Sequence, residues 1–440
     1  MGPLEISLAS IIVIIVLIYS GLYIAVALGL VSFVGVWIMR GNIDLPVNLL
    51  ALAAADTVSH EVFAAVPLFA LMGLFVSRAG IGADIYRVAN FVFFHIRGGL
   101  GIATVAANAV FASITGSSIA SASVFTRVSV PEMRRFNYGT RFSLGVVAGS
   151  SVLGMLIPPS VMMIIYGIVT EQSIGHLFIA GIIPGLVLAA AYSVAIVGMA
   201  YAFPQFVGGR REAAADGGDG WAPLSAWDVA VNLFPVGLLV VVVLGGIYGG
   251  IVTPTEAGAA GAALALLIAL ARRRLDWRGF WECLVETGYI TSTILFLIIA
   301  ASIYSRMLGI AGLPTMFGAW LEGLDLDLVT VMVFYVILLI ILGTIIDTAS
   351  IILVVVPLFM PALEPFNINL IWFGVVTVIG AEIGLLTPPF GISCFVIKST
   401  LDDPSIKLGD IFYGALPFAA IMLAVLILII AYPQLSLALL

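Results

Sequence analysis

The sequence predicts an all-α polytopic membrane protein built from two related halves. Of its 440 residues, 62% are hydrophobic and only 9% are charged, which excludes an ordinary soluble domain. A polar segment followed by a diproline occurs once in each half of the chain. Apolar runs of spanning or near-spanning length recur from end to end, for example at residues 229–248, 288–303, 328–346 and 411–432.

The repeated pattern joins a polar tip to a proline break. The first copy is TGSSIAS at 115–121 with GMLIPPS at 154–160, and the second is GTIIDTAS at 343–350 with GLLTPPFG at 384–391. Because proline lacks a backbone donor and glycine tolerates irregular dihedrals, each diproline should break a helix within the membrane. Broken backbone is tolerated at that depth only beside protein or a wet cavity. Two such breaks at matching places are typical of a transporter's binding site.

A hydrophilic segment rich in glycine, alanine and charge divides the chain, as a flexible linker would. We therefore expect a first repeat at residues 1–205, a linker at 206–226 and a second repeat at 227–440.

The apolar runs can be threaded through the membrane in the same order in both halves. Each half should contain spans, a re-entrant hairpin, a broken span and a closing span. In the first half these are spans near 6–20, 23–39 and 61–78, a hairpin at 98–130 with its tip at 116–118, a broken span at 141–170 and a span at 177–204. In the second half they are spans near 228–248, 254–271 and 287–308, a hairpin at 328–364 with its tip around Asp347, a broken span at 367–400 and a span at 411–432. Connecting helices are expected near 45–58 and 275–286.

The basic residues orient this threading. Only Arg40 and Arg306 fall on one side, and the positive-inside rule makes the other side cytoplasmic. The linker 206–226 is then cytoplasmic, both termini are periplasmic, and the two hairpins enter from opposite sides as inverted repeats. The cytoplasmic side receives Arg78, Arg87, Arg97, Arg127, Arg134, Arg135, Arg141, Arg210, Arg211, Arg272, Arg273, Arg274, Arg278, Lys398 and Lys407.

Enzymatic functions are disfavoured. Two cysteines and three scattered histidines supply neither a disulfide framework nor a metal-site spacing. There is no Walker-type glycine-rich loop, and Asp347 has no intramembrane aspartate companion for an aspartyl protease. We therefore expect a protein that is not an enzyme.

Taken together, these motifs resemble the large membrane subunit (M subunit, or large permease) of TRAP transporters, the tripartite ATP-independent periplasmic systems of bacteria and archaea. The resemblance covers essentially the whole chain. It rests on five segments in order, namely residues 115–121, 156–160, 249–261, 343–350 and 386–391.

The resemblance implies an elevator-type transporter of the ion-transporter superfamily in the cytoplasmic (inner) membrane. It implies sodium-coupled uptake of an organic anion with a carboxylate, such as a C4-dicarboxylate, a 2-oxoacid or a sugar acid. The implied partners are a small four-helix membrane subunit, expected as a separate chain, and a periplasmic substrate-binding protein. No cofactor is implied beyond Na⁺ as coupling ion. The alternative is a standalone sodium/dicarboxylate-type carrier of the same broad fold, without a binding protein.

Two sodium- and substrate-binding clusters are candidates, one at each hairpin tip. Unwound tips supply free backbone carbonyls, and Ser and Thr supply hydroxyls, all of them hard oxygen ligands. The alternative is that these side chains only back-bond to helix carbonyls or pack at small-residue interfaces. The first cluster comprises Thr115, Gly116, Ser117, Ser118, Ser121, Gly154, Ile157, Pro158 and Pro159. The second comprises Gly343, Asp347, Thr348, Ser350, Gly384, Thr387, Pro388 and Pro389.

The acidic residues near these clusters allow more than one interpretation. Asp347 could face a sodium ion, cap the helix starting at Thr348, or do both. Glu382 could bind an ion or serve helix packing. Thr253 and Glu256 have the spacing of a capping box, which predicts a structural role.

No Lys or Arg lies convincingly within the predicted membrane core, so helix N-termini at the tips must supply much of the positive potential for an anion. Arg306 and Arg127 are the nearest cations and are expected to snorkel at the interface. Asp56 and His60, four residues apart, are interpreted as a solvated pair on an exposed helix.

Overall fold

The protein is a bundle of α-helices. The computed structural model describes residues 2–208, 224–401 and 403–440, and over these residues the regular structure is helical apart from one isolated bridge between Tyr138 and Gly208. In the described part, 7 helices are long and apolar enough to cross a membrane, or 8 if one bent pair counts as a span. The prediction of an all-α polytopic membrane protein is confirmed.

The first half contains twelve α-helices in its described residues. They are α1 (Pro3–Tyr19), α2 (Ile24–Arg40), α3 (Asp44–Ser59), α4 (Ala65–Arg78, preceded by the 3-10 turn Glu61–Ala64), α5 (Ile81–Phe93), α6 (Gly99–Thr115), α7 (Ser118–Arg135), α8 (Thr140–Ser151), α9 (Leu153–Leu156), α10 (Val161–Thr170), α11 (Ile174–Ala202) and α12 (Pro204–Val207).

The second half follows a similar order from its first described helix onward. Its helices are α13 (Ala226–Val240, joined through the π turn Val241–Gly245 to α14, Gly246–Tyr248), α15 (Pro254–Ala271), α16 (Trp277–Ala311), α17 (Leu313–Gly323), α18 (Leu328–Gly343), α19 (Thr348–Leu363, followed by the 3-10 turn Glu364–Phe366), α20 (Leu370–Leu385), α21 (Ile392–Thr400), α22 (Leu408–Ala431) and α23 (Gln434–Leu437).

Both predicted helix pairs and both predicted breaks are present. Helices α6 and α7 meet at residues 116–117, and α18 and α19 meet across residues 344–347. The first pair continues to Arg135, beyond its predicted end at 130. Residues 157–160 separate α9 from α10 with a bend of 42°, and residues 386–391 separate α20 from α21.

The prediction of a connecting helix at 275–286 followed by a separate span at 287–308 is wrong. These residues form the single 35-residue helix α16. The reason is that the segment contains no proline, and Gly288, the glycine at the predicted boundary, costs only about 1 kcal/mol of helix stability. At a rise of about 1.5 Å per residue the helix is roughly 50 Å long, so it extends beyond a hydrocarbon core of about 30 Å. Helices α5 and α17 were not predicted.

The predicted linker at 206–226 is described only at its two ends. Residues 206–208 lie against the first half, where the Gly139 amide donates to the Val207 carbonyl at 2.9 Å. Ser225 already caps α13. Residues 209–223 of the predicted linker lie outside the described residues.

Two sets of helices can be distinguished by their packing. In the α16 set, defined as α1–α4, α15 and α16, helix α16 contacts α1 through α4 and α15 packs along α4. In the hairpin set, defined as α6–α10 and α18–α22, α8 packs on α22, α18 on α20 and α7 on α21. The two sets meet mainly where α16 contacts α19 and α4 contacts α6. The hairpin set thus combines both halves of the sequence.

Ion pairs join distant parts of the chain at its predicted membrane surfaces. In each long-range pair, both partners belong to the same predicted side. The pairs are Arg134–Asp403 at 3.1 Å, Arg141–Asp410 at 2.8 Å, Arg78–Glu282 at 2.5 Å, Arg272–Asp84, and, on the opposite side, Arg306–Asp56 at 2.7 Å. Hydrogen bonds from Ser405, together with Arg134, hold the pKa of Asp403 below its usual value. The agreement of these pairs with the threading supports its order.

The closest helix contact in the hairpin set predicts a stability effect. A Cβ added to Gly414 of α22 would overlap with the Arg141 carbonyl at the start of α8, whereas one added to Gly409 of the same helix meets no heavy atom within 4 Å. Overpacking typically costs about 1–3 kcal/mol. We expect Gly414→Ala to lower the free energy of unfolding in detergent by that amount and Gly409→Ala to leave it nearly unchanged. Equal losses in both variants would contradict the close contact.

Candidate functional site

In the first half, the hairpin tip lies directly against the helix break. Gly116 ends α6 in a left-handed conformation with φ of 59°, which glycine adopts without strain. Its carbonyl accepts a hydrogen bond from the Val161 amide at 3.5 Å, and a side chain at this position would overlap with the Pro159 carbonyl. A Cβ on Gly154 would lie 2.8 Å from the Ser117 carbonyl oxygen. The structure thus brings Gly116 and Ser117 of the tip against Pro159 and Gly154 of the broken span.

The second half repeats this arrangement. The Thr344 carbonyl at the tip accepts a hydrogen bond from the Phe390 amide at the break, at 3.2 Å. Gly343 and Gly384 face each other so closely that a Cβ on either would overlap with its neighbours, the one on Gly343 lying 2.6 Å from the Ala381 carbonyl. Both diproline bonds, in the first break and the second, are cis.

A buried side-chain contact shows the same register in both halves. Asn108 donates from Nδ2 to the Ser150 hydroxyl at 2.6 Å, and the Tyr335 and Thr377 hydroxyls lie 2.8 Å apart. The partners are 42 residues apart in both cases, and each first member lies 8 residues before the tip glycine of its own hairpin. The first arm of each hairpin therefore packs on its broken span in an equivalent way.

Four helices begin at the tips and breaks, namely α7, α10, α19 and α21. Ser117, Ser160 and Asp347 cap the first three, each accepting a hydrogen bond from the amide three residues further on, at 3.3, 3.3 and 3.2 Å. The first amides of a helix lack intrahelical partners and carry partial positive charge. Helix ends of this kind are suited to an anion.

The predicted hydroxyl ligands at the two tips do not all behave alike. Thr115 donates to the Phe111 carbonyl at 3.0 Å, and Thr387 donates to the Gly384 carbonyl at 2.9 Å. Ser350 donates to Asp347 at the cap of α19. Thr115 and Thr387 therefore donate to carbonyls of the preceding helical turn, as expected if these hydroxyls were not ion ligands. The oxygen lone pairs of all three hydroxyls remain available to a cation.

The residue that links the two hairpins is Glu382 of α20, which is only 1% exposed. Its Oε1 accepts a hydrogen bond from the Thr348 hydroxyl at 2.8 Å, and its Oε2 has no partner among the described residues. Ser118 lies beside the same carboxyl. Sequence reasoning left Glu382 undecided and outside the candidate clusters. One feature of the sequence could have identified Glu382 as a candidate. It is the one acidic residue between 367 and 400, and it lies two positions before Gly384.

The other singled-out residues have structural contacts. Asp347 caps α19, as one of its interpretations required. Glu256 forms the predicted capping box with Thr253, whose amide donates to Glu256 at 2.8 Å.

Two interpretations of exposed residues are corrected. Arg306 forms an ion pair with Asp56, so it does not simply snorkel, and Asp56 is paired with Arg306 and not with His60. The reason is tertiary, because α16 brings Arg306 to the end of α3. Arg127 is exposed, as expected for the base of the first hairpin.

A cavity of about 890 Å³ lies between the two helix sets. It is lined by the end of α3, the α10–α11 turn, the turn before α15, the middle of α16 and part of α19, and it includes Arg306, Asp56 and His60. No tip or break residue of either cluster lines it. The cavity is therefore adjacent to the candidate site and not part of it.

Over residues 11–435 the sequence matches the family described as "Tripartite ATP-independent periplasmic transporter, DctM component". The chain belongs to this family. It is thus a large membrane subunit of a TRAP transporter, and the resemblance drawn from its motifs is confirmed.

Two relatives and one solved structure extend this result. The chain is 36% identical over 401 residues to the C4-dicarboxylate TRAP transporter large permease protein DctM of Pseudomonas aeruginosa, covering 89% of each chain. It is 30% identical over 409 residues to the isethionate TRAP transporter permease protein DctMQ of Oleidesulfovibrio alaskensis, covering 93% of this chain and 62% of that longer protein. The fold is similar to that of the Alcanivorax borkumensis YdaH transporter, with a TM-score of 0.63, 13% identity and 91% of each chain covered.

The contacts of Asp347 predict a capping effect that can be separated from its charge. Asparagine and alanine both remove the carboxylate charge, but only asparagine keeps a cap, and losing a cap costs about 0.5–2 kcal/mol. We expect Asp347→Ala to unfold more easily than Asp347→Asn by roughly that difference, measured in detergent with choline chloride as the salt. Equal stability of the two variants would show that the cap contributes nothing.

Proposed function

We propose that this TRAP large permease carries out sodium-coupled uptake of an organic anion that a periplasmic binding protein delivers. The observation that carries the proposal is the pair of matched tip-to-break contacts, Val161 amide to Gly116 carbonyl and Phe390 amide to Thr344 carbonyl. Each contact holds unwound backbone beside a helix N-terminus within a protein that spans the membrane. Such backbone can offer carbonyl oxygens to a cation and amides to an anion at the same depth.

Sodium is the coupling ion that suits these clusters. They contain hydroxyl, carboxylate and carbonyl oxygens, which hard cations prefer as ligands, and neither cluster contains a histidine or cysteine. One cluster in each repeat motivates at least two sodium ions per transport cycle. The bound ions would add positive charge to that of the helix ends and so favour an anionic substrate.

The substrate class proposed is an organic acid, such as a C4-dicarboxylate, a 2-oxoacid or a sugar acid. The support is the family itself and the named substrates of its relatives, C4-dicarboxylate and isethionate, which differ between two similar proteins. The residues described at the tips contain no Lys or Arg side chain that could select one anion. We therefore assign the choice of substrate mainly to the binding protein.

The proposed assembly has three parts in a bacterial or archaeal inner membrane. A separate small four-helix subunit would dock on the α16 set, and the binding protein would dock on the periplasmic face. The two halves would be inverted repeats, with a cytoplasmic linker and periplasmic termini, as the distribution of basic residues favours. A standalone carrier without a binding protein remains the competing function.

The packing supports an elevator mechanism. Tips and breaks satisfy one another's backbone groups, so they cannot separate without exposing those groups to lipid. We propose that the hairpin set moves as one transport domain while the α16 set stays fixed. The sliding surface would then lie where α16 contacts α19 and α4 contacts α6.

Sodium dependence is the first test of this function. In proteoliposomes containing the assembled transporter, replacing external sodium by choline should abolish uptake of the delivered anion. An inside-negative potential should accelerate it, since one charge crossing the membrane is worth about 2.3 kcal/mol per 100 mV. Asp347→Asn, which keeps the cap, should raise the sodium concentration for half-maximal uptake several-fold. Equal uptake in choline would refute sodium coupling, and uptake by this chain without any binding protein would favour the standalone carrier.

Two matched cysteine pairs test the elevator. A Cβ built on Gly380 lies 3.4 Å from the Leu339 Cβ, both in the hairpin set, and one built on Gly73 of α4 lies 3.4 Å from the Thr115 Cβ across the two sets. Both spacings are close to disulfide geometry. In a background without Cys283 and Cys394, oxidation should leave uptake by the 339/380 pair largely intact and arrest the 73/115 pair.

Each double mutant is compared with itself before oxidation and after reduction, because Thr115 belongs to a candidate cluster. If uptake returns on reduction, the disulfide crosslink was the cause of the arrest. If oxidation arrested the 339/380 pair and spared the 73/115 pair, the assignment of moving and fixed sets would be wrong.

A further inference from the structure

We propose that Glu382 completes a sodium site between the two hairpins with Thr348 and Ser118, hydroxyls that belong to the two tip clusters, and with Ser121 of the first cluster, which lies three residues beyond Ser118 on α7. The inference rests on the proposed sodium-coupled function and adds a third site that takes hydroxyls from both tip clusters. Its distinguishing feature is that its ligands come from both repeats and from α20.

The first argument is the burial of the Glu382 carboxyl. It is 1% exposed in the middle of the hairpin set, and one of its oxygens has no partner among the described residues. No Lys or Arg of the described chain forms an ion pair with it. A carboxylate isolated in a low-dielectric environment is strongly unfavourable unless a positive charge compensates it or a proton neutralises it. A bound cation would supply that charge.

The second argument is the set of buried hydroxyls around it. Thr348, at the start of α19, donates to Oε1, and Ser118, at the start of α7, lies beside the carboxyl. Ser118 and Ser121 are both 0% exposed, and neither hydroxyl has a partner among the described residues. Since they lie three residues apart on one helix, they share a face. Four oxygen-bearing side chains without nitrogen or sulfur ligands suit a hard cation such as sodium.

The third argument concerns the direction of the first tip. Its backbone at Ser117 and Ser118 packs against Gly154 of the first broken span, whereas the Ser118 side chain lies beside Glu382 of the second. The backbone of the first tip can therefore contact the break of its own repeat, while the Ser118 hydroxyl serves as a ligand in the shared site.

The first repeat has no equivalent carboxylate. Counted from the tip glycine, the position equivalent to Glu382 is Met155, and counted from the glycine before the diproline it is Val152. Both are apolar and buried. One shared site, not two symmetric ones, is therefore expected. A cation there would tie the two hairpins together and favour a closed arrangement of both tips.

The test measures sodium binding by the full-length chain through its thermal unfolding in detergent. Sodium chloride is titrated at constant ionic strength against choline chloride, and the slope of the melting temperature against the logarithm of sodium concentration reports the number of bound ions. Glu382→Gln keeps the size and an acceptor for Thr348 but removes the charge. Tyr335→Phe, which removes a buried hydroxyl of the same helix set away from the site, is the matched control.

We expect the wild-type and Tyr335→Phe proteins to show the same slope. The slope of Glu382→Gln should be lower by about a third if two tip sites remain, because stabilisation by each saturable site adds to the total. An unchanged slope in Glu382→Gln would overturn the site while leaving sodium coupling intact. A wild-type protein without any slope would instead refute the proposed function.

A second variant covers the case in which Glu382→Gln fails to fold. The double substitution Ser118→Ala and Ser121→Ala removes two hydroxyls that have no partner among the described residues, so the fold should tolerate it. Its sodium slope should fall by the same third as that of Glu382→Gln, because both variants would remove the same site. A larger fall would assign the two hydroxyls to the first tip cluster and overturn the proposed ligand set. A wild-type slope in this variant would contradict the proposed ligand set.

Discussion

The architecture depends on one constraint, which is that backbone polar groups freed from helices inside a membrane must find partners within the protein. Each tip glycine and each diproline break leaves such groups unpaired, and each tip satisfies the break of its own repeat. Because lipid offers no hydrogen bonds, these contacts bind the hairpin and the broken span into one unit. The close glycine contacts, such as Gly343 against Gly384, allow the two backbones to approach near enough for this.

The same constraint distinguishes the contacts within the hairpin set from those between the two helix sets. Contacts within the hairpin set include polar bonds at depth, such as Asn108 with Ser150 and Tyr335 with Thr377. The contact between α16 and α19 has no such bond among the described side chains, and most of the long-range ion pairs lie at the predicted membrane surfaces. A boundary made mainly of apolar side chains can slide at a lower cost than one that must break buried hydrogen bonds. This difference gives the proposed elevator a physical basis.

Much of the fold could be predicted because its signals are local. Glycine and diproline act on their own backbone, so the tips near 116 and 347 and the breaks at 158 and 388 were found from spacing alone. Long apolar runs identified most spans for the same reason. The continuous helix α16 was missed because the change from polar to apolar residues near 286 was taken as a helix boundary, although the backbone there contains nothing that would end a helix.

By itself, the sequence determined the fold class and the positions of the tips and helix breaks, since hydropathy and helix-breaking residues act over short stretches of chain. Only the tertiary structure decided which polar groups lie together. Glu382 is separated by 34 residues from Thr348, and Ser118 belongs to the other half of the chain, so no local pattern links them. Similarly, the pairing of Arg306 with Asp56 depends on how α16 packs against α3. Contacts between distant segments follow from packing, and packing is a property of the whole bundle.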